Sequence, residues 1–166
     1  MAIHRLPIIG FGTLPDTSGV VFFESYSVKA TNKVWIREVC IFDAGNTRNG
    51  IHGGFQVPQN YVGSANLIIP WTAIVTSGDV EWDLDYRAVA AGESLDQTGN
   101  DESVNLNDLA PSAINELQVL SIALTDTNFV VGDEVEYEFF RDQVDTGDTM
   151  SGAAILFGLY FEYADA

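Results

Sequence analysis

The clearest pattern in the chain is alternation. In the segment GDVEWDLDYRAVA, the apolar or aromatic residues Val80, Trp82, Leu84, Tyr86 and Ala88 are separated by the charged residues Glu81, Asp83, Asp85 and Arg87. Successive side chains of a strand point to opposite faces, so this period of two predicts a strand with one face in a core and the other in water. The same period recurs in Leu67, Ile69, Trp71, Ala73 and Val75, in Val135, Tyr137 and Phe139 against Glu134, Glu136 and Glu138, and in Ile155, Phe157, Leu159, Phe161 and Tyr163. Blocks of β-branched and aromatic residues between turn formers predict seven strands, over 20–30, 33–42, 65–75, 79–90, 116–125, 134–141 and 153–163, with an eighth within 51–62. Thr76, Ser77 and Gly78 join two strongly patterned strands, which predicts a tight antiparallel hairpin. Two longer intervals, 45–63 and 92–115, suit the long returns of a Greek key. Residues 106–117 could hold a short helical turn capped by Asn107 or Asp108. The expected fold is all-β: an antiparallel β-sandwich over residues 20–166, a jelly roll of about eight strands.

Residues 1–19 break the pattern. Pro7, Gly10, Gly12, Pro15 and Gly19 recur too often for a helix or a long strand, so this stretch reads as an extended arm. It still carries Ile3, Leu6, Ile8, Ile9, Phe11 and Leu14, with Arg5 among them. An arm with this apolar content is expected to lie on a surface, its own or a neighbour's.

Composition bounds the rest. A chain of 166 residues, 46% hydrophobic, is one domain's worth of sequence with enough apolar surface to fold. Twenty-four acids stand against seven bases, a formal charge of −17, so a phosphate backbone would be repelled and nucleic acid is not an expected partner. The charge is uneven: residues 1–50 hold five bases and four acids, whereas the remainder holds only Arg87 and Arg141 against twenty acids. Acidity of this kind serves solubility, and it also leaves the nearly neutral first third as the part suited to docking. The single cysteine, Cys40, excludes an intramolecular disulfide. The longest apolar stretch, 153–161, is about half of the roughly 20 residues a membrane-crossing helix needs, so no membrane association is expected. The start, MAIHRLPIIGFG, lacks the continuous apolar run of a secretory signal.

The sharpest catalytic candidate is the trio Glu81, Asp83 and Asp85, because alternate residues of one strand set three carboxylates on one face at steps of about 7 Å. The string EWDLD resembles the E-x-D-x-E catalytic strand of a family of jelly-roll glycoside hydrolases, in which such a pair serves a retaining mechanism. Asp85 departs from it, standing where that pattern has a glutamate acid/base. The bland reading, an acidic solvent face partly balanced by Arg87, is preferred, and no enzyme is expected. Two oxygen-rich loops, one with Asp96, Asn100, Asp101 and Glu102 and one with Asp142, Asp145 and Asp148, carry ligands suited to calcium, although neither has EF-hand spacing and turn aspartates commonly bond nearby amides instead. His4, His52 and Cys40 fall in no zinc or nucleophile pattern, there is no phosphate loop or dinucleotide fingerprint, and no cofactor is implied. Trp71 and Trp82 occupy apolar faces and read as core; Trp35 is open to a stacking role.

The run IIPWTAIVTSGDVEWDLDYRAVAAGES and the ending DQVDTGDTMSGAAILFGLYFEY resemble segments of structural proteins of tailed bacteriophages, through the elements W-T-A, T-S-G, W-x-x-x-Y and G-E-S. The resemblance covers roughly the last hundred residues and supplies no catalytic residues. It implies a virion component with a β-sandwich body, a head decoration (cement) protein that binds the major capsid protein as a homotrimer on the outer surface of the capsid. On this reading Ile3, Arg5, Leu6, Ile8, Ile9, Phe11 and Leu14 form the capsid-binding arm. The alternative is a receptor- or glycan-binding module of a phage tail or head fibre. A chain that opens on methionine and closes just after its last expected strand fits a free-standing accessory protein better than a fibre module.

Overall fold

The computed structural model describes the backbone of residues 1–8, 12–13, 21–30, 33–96 and 102–166, and the side chains of 1–8, 21–27, 38–96 and 102–166. Twelve strands run through them: β1 (Ile3–Ile8), β2 (Gly12–Thr13), β3 (Val21–Ala30), β4 (Lys33–Phe42), β5 (Arg48–Gln56), β6 (Tyr61–Ala73), β7 (Asp79–Val89), β8 (Glu102–Leu109), β9 (Gln118–Ala123), β10 (Glu134–Asp142), β11 (Ala154–Leu156) and β12 (Leu159–Asp165). They form two antiparallel sheets packed as a jelly-roll sandwich. The first has the order β1-β12-β6-β11-β4-β3 with β9 on the far side of β6; the second has the order β2-β5-β10-β7-β8.

The alternating residues meet between the layers, as their period requires. Trp71, Ala73, Leu67 and Ile69 of β6 face Trp82, Leu84 and Tyr86 of β7 and Phe139 of β10 in one core. Both tryptophans are fully buried and meet edge to face, with centroids 5.8 Å apart, while Trp82 stacks on Phe139 at 5.1 Å. Such arrangements suit the ring quadrupoles and add to the area buried. The indole of Trp71 donates to Asp108 at 2.7 Å, so its polar edge is satisfied inside the sandwich.

Four expectations are corrected here. The link through Thr76–Gly78 is a crossing between layers, since β6 pairs only within the first sheet and β7 only within the second. Gly78 is required there, with φ +91° and the position of a Cβ lying 2.6 Å from the Thr149 carbonyl oxygen. The interval 92–115 holds a strand, β8, in place of the suggested helical turn around Asn107 and Asp108; its register against β7 places Asn107 opposite Glu81. The last expected strand is two, because Gly158 (φ +151°) interrupts it and lets β11 pair with β4 while β12 pairs with β1. The arm, finally, is not separate over residues 3–8. These residues pair with β12 from Ile3–Ala164 to Ile8–Leu159 and belong to the sheet.

A polar clamp fixes one irregularity. The β6–β12 register shifts near Ala164, and Ser64 takes φ +59°. Asp126, in a single 3-10 turn (Asp126–Asn128), accepts hydrogen bonds from the amides of Ser64 (3.1 Å) and Ala65 (2.6 Å) and from the Tyr61 hydroxyl (3.2 Å). Side-chain acceptors thus satisfy amides that the bulged ladder leaves unpaired.

Candidate ligand-binding face

The outward residues of the second sheet form the most distinctive surface. An open groove of about 710 Å³ runs across β5, β10, β7 and β8, lined by His52, Gly53, Asp85, Arg87, Glu102, Ser103, Glu136 and Glu138, with the buried Tyr86 and Tyr137 beneath. The register builds it row by row. Glu138 stands opposite His52 on one side and Asp85 on the other, and Asp85 stands opposite Ser103. In the next row Glu136 lies between Gly54 and Arg87. Strands lie about 4.8 Å apart, so each row offers one side chain per strand across a span of roughly 14 Å.

Local sequence explains the hollow. On β5 the outward positions beside His52 are glycines, Gly50 and Gly54, which add no side-chain bulk. Gly53 points inward, and a Cβ there would lie 2.4 Å from the Tyr137 hydroxyl, so the Gly-Gly pair leaves room for the tyrosine on one face and for the groove on the other. Tyr86 and Tyr137 are both buried and their rings belong to the core, so among the described residues the groove presents no aromatic ring to solvent.

Charge is arranged unevenly along this face. Arg87 pairs with Glu136 at 2.7 Å. Arg48 serves the other end, with Nε 3.2 Å from Asp83 and 3.5 Å from Asp142 and a second nitrogen 3.2 Å from Asp85, while its guanidinium caps the Phe140 ring at 3.6 Å. That roof explains why Phe140, an outward residue, is buried. Glu138 makes no hydrogen bond or ion pair among the described residues.

Of the carboxylate trio on β7, only Asp85 lines the groove. Asp83 is held by Arg48; burial raises its pKa, against the opposing pull of that arginine. Glu81 is buried at 3% exposure with Oε2 unpartnered among the described residues, and its pKa is raised by burial first and then by Asp145, Asp83, Asp142 and Asp148. The trio shares a face, but Glu81 and Asp83 do not open onto the groove. The balancing cation for Asp83 and Asp85 is Arg48, where the sequence had suggested Arg87.

The second calcium candidate is likewise dispersed. Asp148 binds Arg141, Asp142 accepts from the amides of Val144 and Asp145, and Asp145 accepts from the amide of Gly147. Among the described residues no group of three or more acidic, histidine or cysteine side chains is placed to hold a metal. In the first loop, Asn100 and Asp101 lie outside the described residues.

The proposed arm residues separate. Ile8 is buried in the core, Leu6 packs against it, and Arg5 bonds Glu162 at 2.7 Å, so Ile8 has no surface to offer a partner. Ile3 is exposed. Ile9, Phe11 and Leu14 lie outside the described residues, as does the side chain of Trp35. Among the described residues no helix is long and apolar enough to cross a membrane. The groove residues His52, Ser103, Glu136 and Glu138 were missed as a site by sequence reasoning, which saw alternating polar positions without the register that assembles them.

No protein-family model and no curated protein sequence matches the chain. Solved structures do match in shape. CBM35 from Paenibacillus barcinonensis superposes with a TM-score of 0.53 at 10% identity, over 99% of this chain and 100% of that one. A family 35 carbohydrate binding module from Clostridium thermocellum gives 0.53 at 12% identity, over 98% and 99%. The CBM22-1 xylan-binding domain from Paenibacillus barcinonensis Xyn10C gives 0.52 at 12% identity, over 99% and 97%. At these identities the likeness is one of fold: the chain has the jelly-roll sandwich that carbohydrate-binding modules also use.

Proposed function

We propose that the protein is a non-catalytic carbohydrate-binding module that holds a glycan in the groove of its second sheet. The observation that carries this reading is the open groove of about 710 Å³ across four strands, walled by carboxylates, a hydroxyl and an imidazole. Such groups accept and donate hydrogen bonds to sugar hydroxyls, and one polar side chain per strand suits a repeating chain laid across the strands. The shared fold with a xylan-binding domain and two other carbohydrate-binding modules supports the same reading.

The test is a glycan array followed by titration calorimetry with Ser103→Trp. Ser103 is exposed at the groove wall, so an indole there fills the groove without entering the core. Binding lost at an unchanged unfolding midpoint supports the site; binding retained by the variant places it elsewhere and rejects the proposal.

A second reading is the virion-surface protein, a capsid-binding homotrimer. It is favoured by the β3–β4 hairpin, whose strands pair with each other from Val21–Phe42 to Ala30–Lys33 while only Cys40–Phe42 joins β11. Among the described residues most of that hairpin adds to no further strand, which leaves an element suited to reach another subunit. Electron microscopy of purified particles, with and without residues 24–38, tests it: occupancy unaffected by the deletion rejects the hairpin as the contact.

A further inference from the structure

We infer that the glycan of this groove bears free amines: a polysaccharide of glucosamine-type units whose ammonium groups sit between Glu138 and Asp85. This rests on the glycan reading above and narrows it.

The starting point is a pairing of like charges in the register of the sheet. Glu138 and Asp85 are directly opposed across β10 and β7. Like charges in that relation destabilise a sheet, and opposite charges in it stabilise one. One row away the sequence uses the favourable arrangement, with Glu136 against Arg87 at 2.7 Å. At the centre of the groove it does not. Among the described residues the Asp85 carboxylate has one ion-pair contact, at 3.2 Å, from the edge of Arg48, whose Nε is turned to Asp83 and Asp142. Glu138 stands between Asp85 and His52 and makes no ion pair among the described residues. The groove as a whole carries Asp85, Glu102, Glu136 and Glu138 against Arg87, besides His52.

A ligand's ammonium placed between the two carboxylates relieves that repulsion and gains two charge-assisted hydrogen bonds, the stronger class. A uronic acid would meet the opposite sign and be repelled. A neutral sugar gains hydrogen bonds but leaves the opposed acids as they were. Ring stacking cannot decide the matter, because the described lining shows no aromatic face. What remains for selectivity is charge, and the sign it selects is positive. A basic peptide shares that sign, but the groove has no exposed apolar anchor among its described lining residues, whereas its hydroxyl, imidazole and carboxylates match a chain of hydroxyls with an amine at each unit.

The experiment is calorimetric titration of the full chain with four hexamers: glucosamine, N-acetylglucosamine, glucose in β-1,4 linkage, and lysine. Each is run at low salt and at about 0.15 M salt, where screening acts over about 8 Å. The expected result is binding of the glucosamine hexamer at least about tenfold tighter than of its N-acetylated counterpart, weakening with salt. Glu138→Gln, which removes no side-chain contact among the described residues, should weaken that binding about fivefold while the unfolding midpoint holds or rises slightly, because one of the two opposed charges is gone. Equal binding of the N-acetylated or glucose hexamer, or indifference to Glu138→Gln, overturns the amine while leaving the glycan groove in place. Lysine hexamer binding as tightly as glucosamine hexamer overturns it in favour of a peptide. Failure of every oligosaccharide here, together with a blank glycan array, overturns the glycan reading itself.

Discussion

Arg141→Met should destabilise the sandwich by several kilocalories per mole. The guanidinium is fully buried and all its bonds are internal. Nε and one terminal nitrogen make a bidentate pair with Asp148, at 2.8 and 2.9 Å, and the terminal nitrogens also donate to the carbonyls of Met150 (2.7 Å) and Gly152 (2.6 Å). The Asp148 side chain is 2% exposed and accepts in addition from the amide of Glu81 at 3.2 Å. Methionine matches the stem but leaves a buried carboxylate without its cation, a loss of about 3–5 kcal/mol where one partner of a buried pair is removed. Two carbonyls lose a donor as well, about 1 kcal/mol each at the low end. A loss of about 5–7 kcal/mol, with a urea dependence of about 2 kcal/mol/M, lowers the unfolding midpoint by about 3 M. The buried indoles of Trp71 and Trp82 provide the fluorescence signal for the urea titration. The double variant Arg141→Met/Asp148→Leu should lose less than the two single losses combined, with a coupling of about 1–3 kcal/mol, because the stranded charge is gone. A midpoint shift below about 0.5 M, or strictly additive losses, would show that the buried pair does not brace this end of the sheet.

Glu81→Gln should act in the opposite direction, raising stability at pH 7 by about 1 kcal/mol through removal of an unpaired buried charge. The sign follows from its raised pKa. As pH climbs, the unfolded chain loses this proton first, so stability is fully present below the ordinary glutamate range and falls as pH rises towards the higher folded value. The gap between variant and parent should therefore open with pH across that window and stay constant above it; urea midpoints at several pH values check this, and a gap that is flat or of reversed sign rejects it. Cys40 is buried, and burial pushes its thiol up to about 12, so it should resist a thiol reagent at pH 8 in the native protein and react promptly in urea. Rapid native labelling would contradict its place beside Tyr137 in the core.

Much of this was legible because a strand's period survives translation into packing. Val80, Trp82, Leu84 and Tyr86 are all buried, and so are Val135, Tyr137 and Phe139, each set by alternation alone. Pairing was not legible in the same way. A short Thr-Ser-Gly link has the composition of a hairpin turn and of a crossing between layers alike, and only the crowding of Gly78 by Thr149 and Met150, some seventy residues away, decides between them. β8 was missed because ESVNLNDL offers few apolar residues, and at a sheet edge few are needed. The sequence counted Arg141 only as a charge; its partners Asp148, Met150 and Gly152 follow in a loop with no periodicity to announce them.

The groove illustrates the same divide between composition and register. The acidity of the chain was plain from its counts, and a uniform solubilising coat was the simplest account of it. The structure sorts those acids instead. Asp83, Asp142 and Asp85 gather on Arg48, Glu136 takes Arg87, Asp148 takes Arg141, and Glu81 is withdrawn from water. Solubility alone requires only that acids be exposed and dispersed. It gives no reason for two carboxylates to oppose each other in the groove of this face, on strands whose neighbouring row pairs Glu136 with Arg87. Local conflicts of this kind cost folding energy, and in natural proteins they concentrate where a ligand resolves them. On the reading proposed above, Glu138 and Asp85 are half of an interaction whose other half is a cation brought by the ligand.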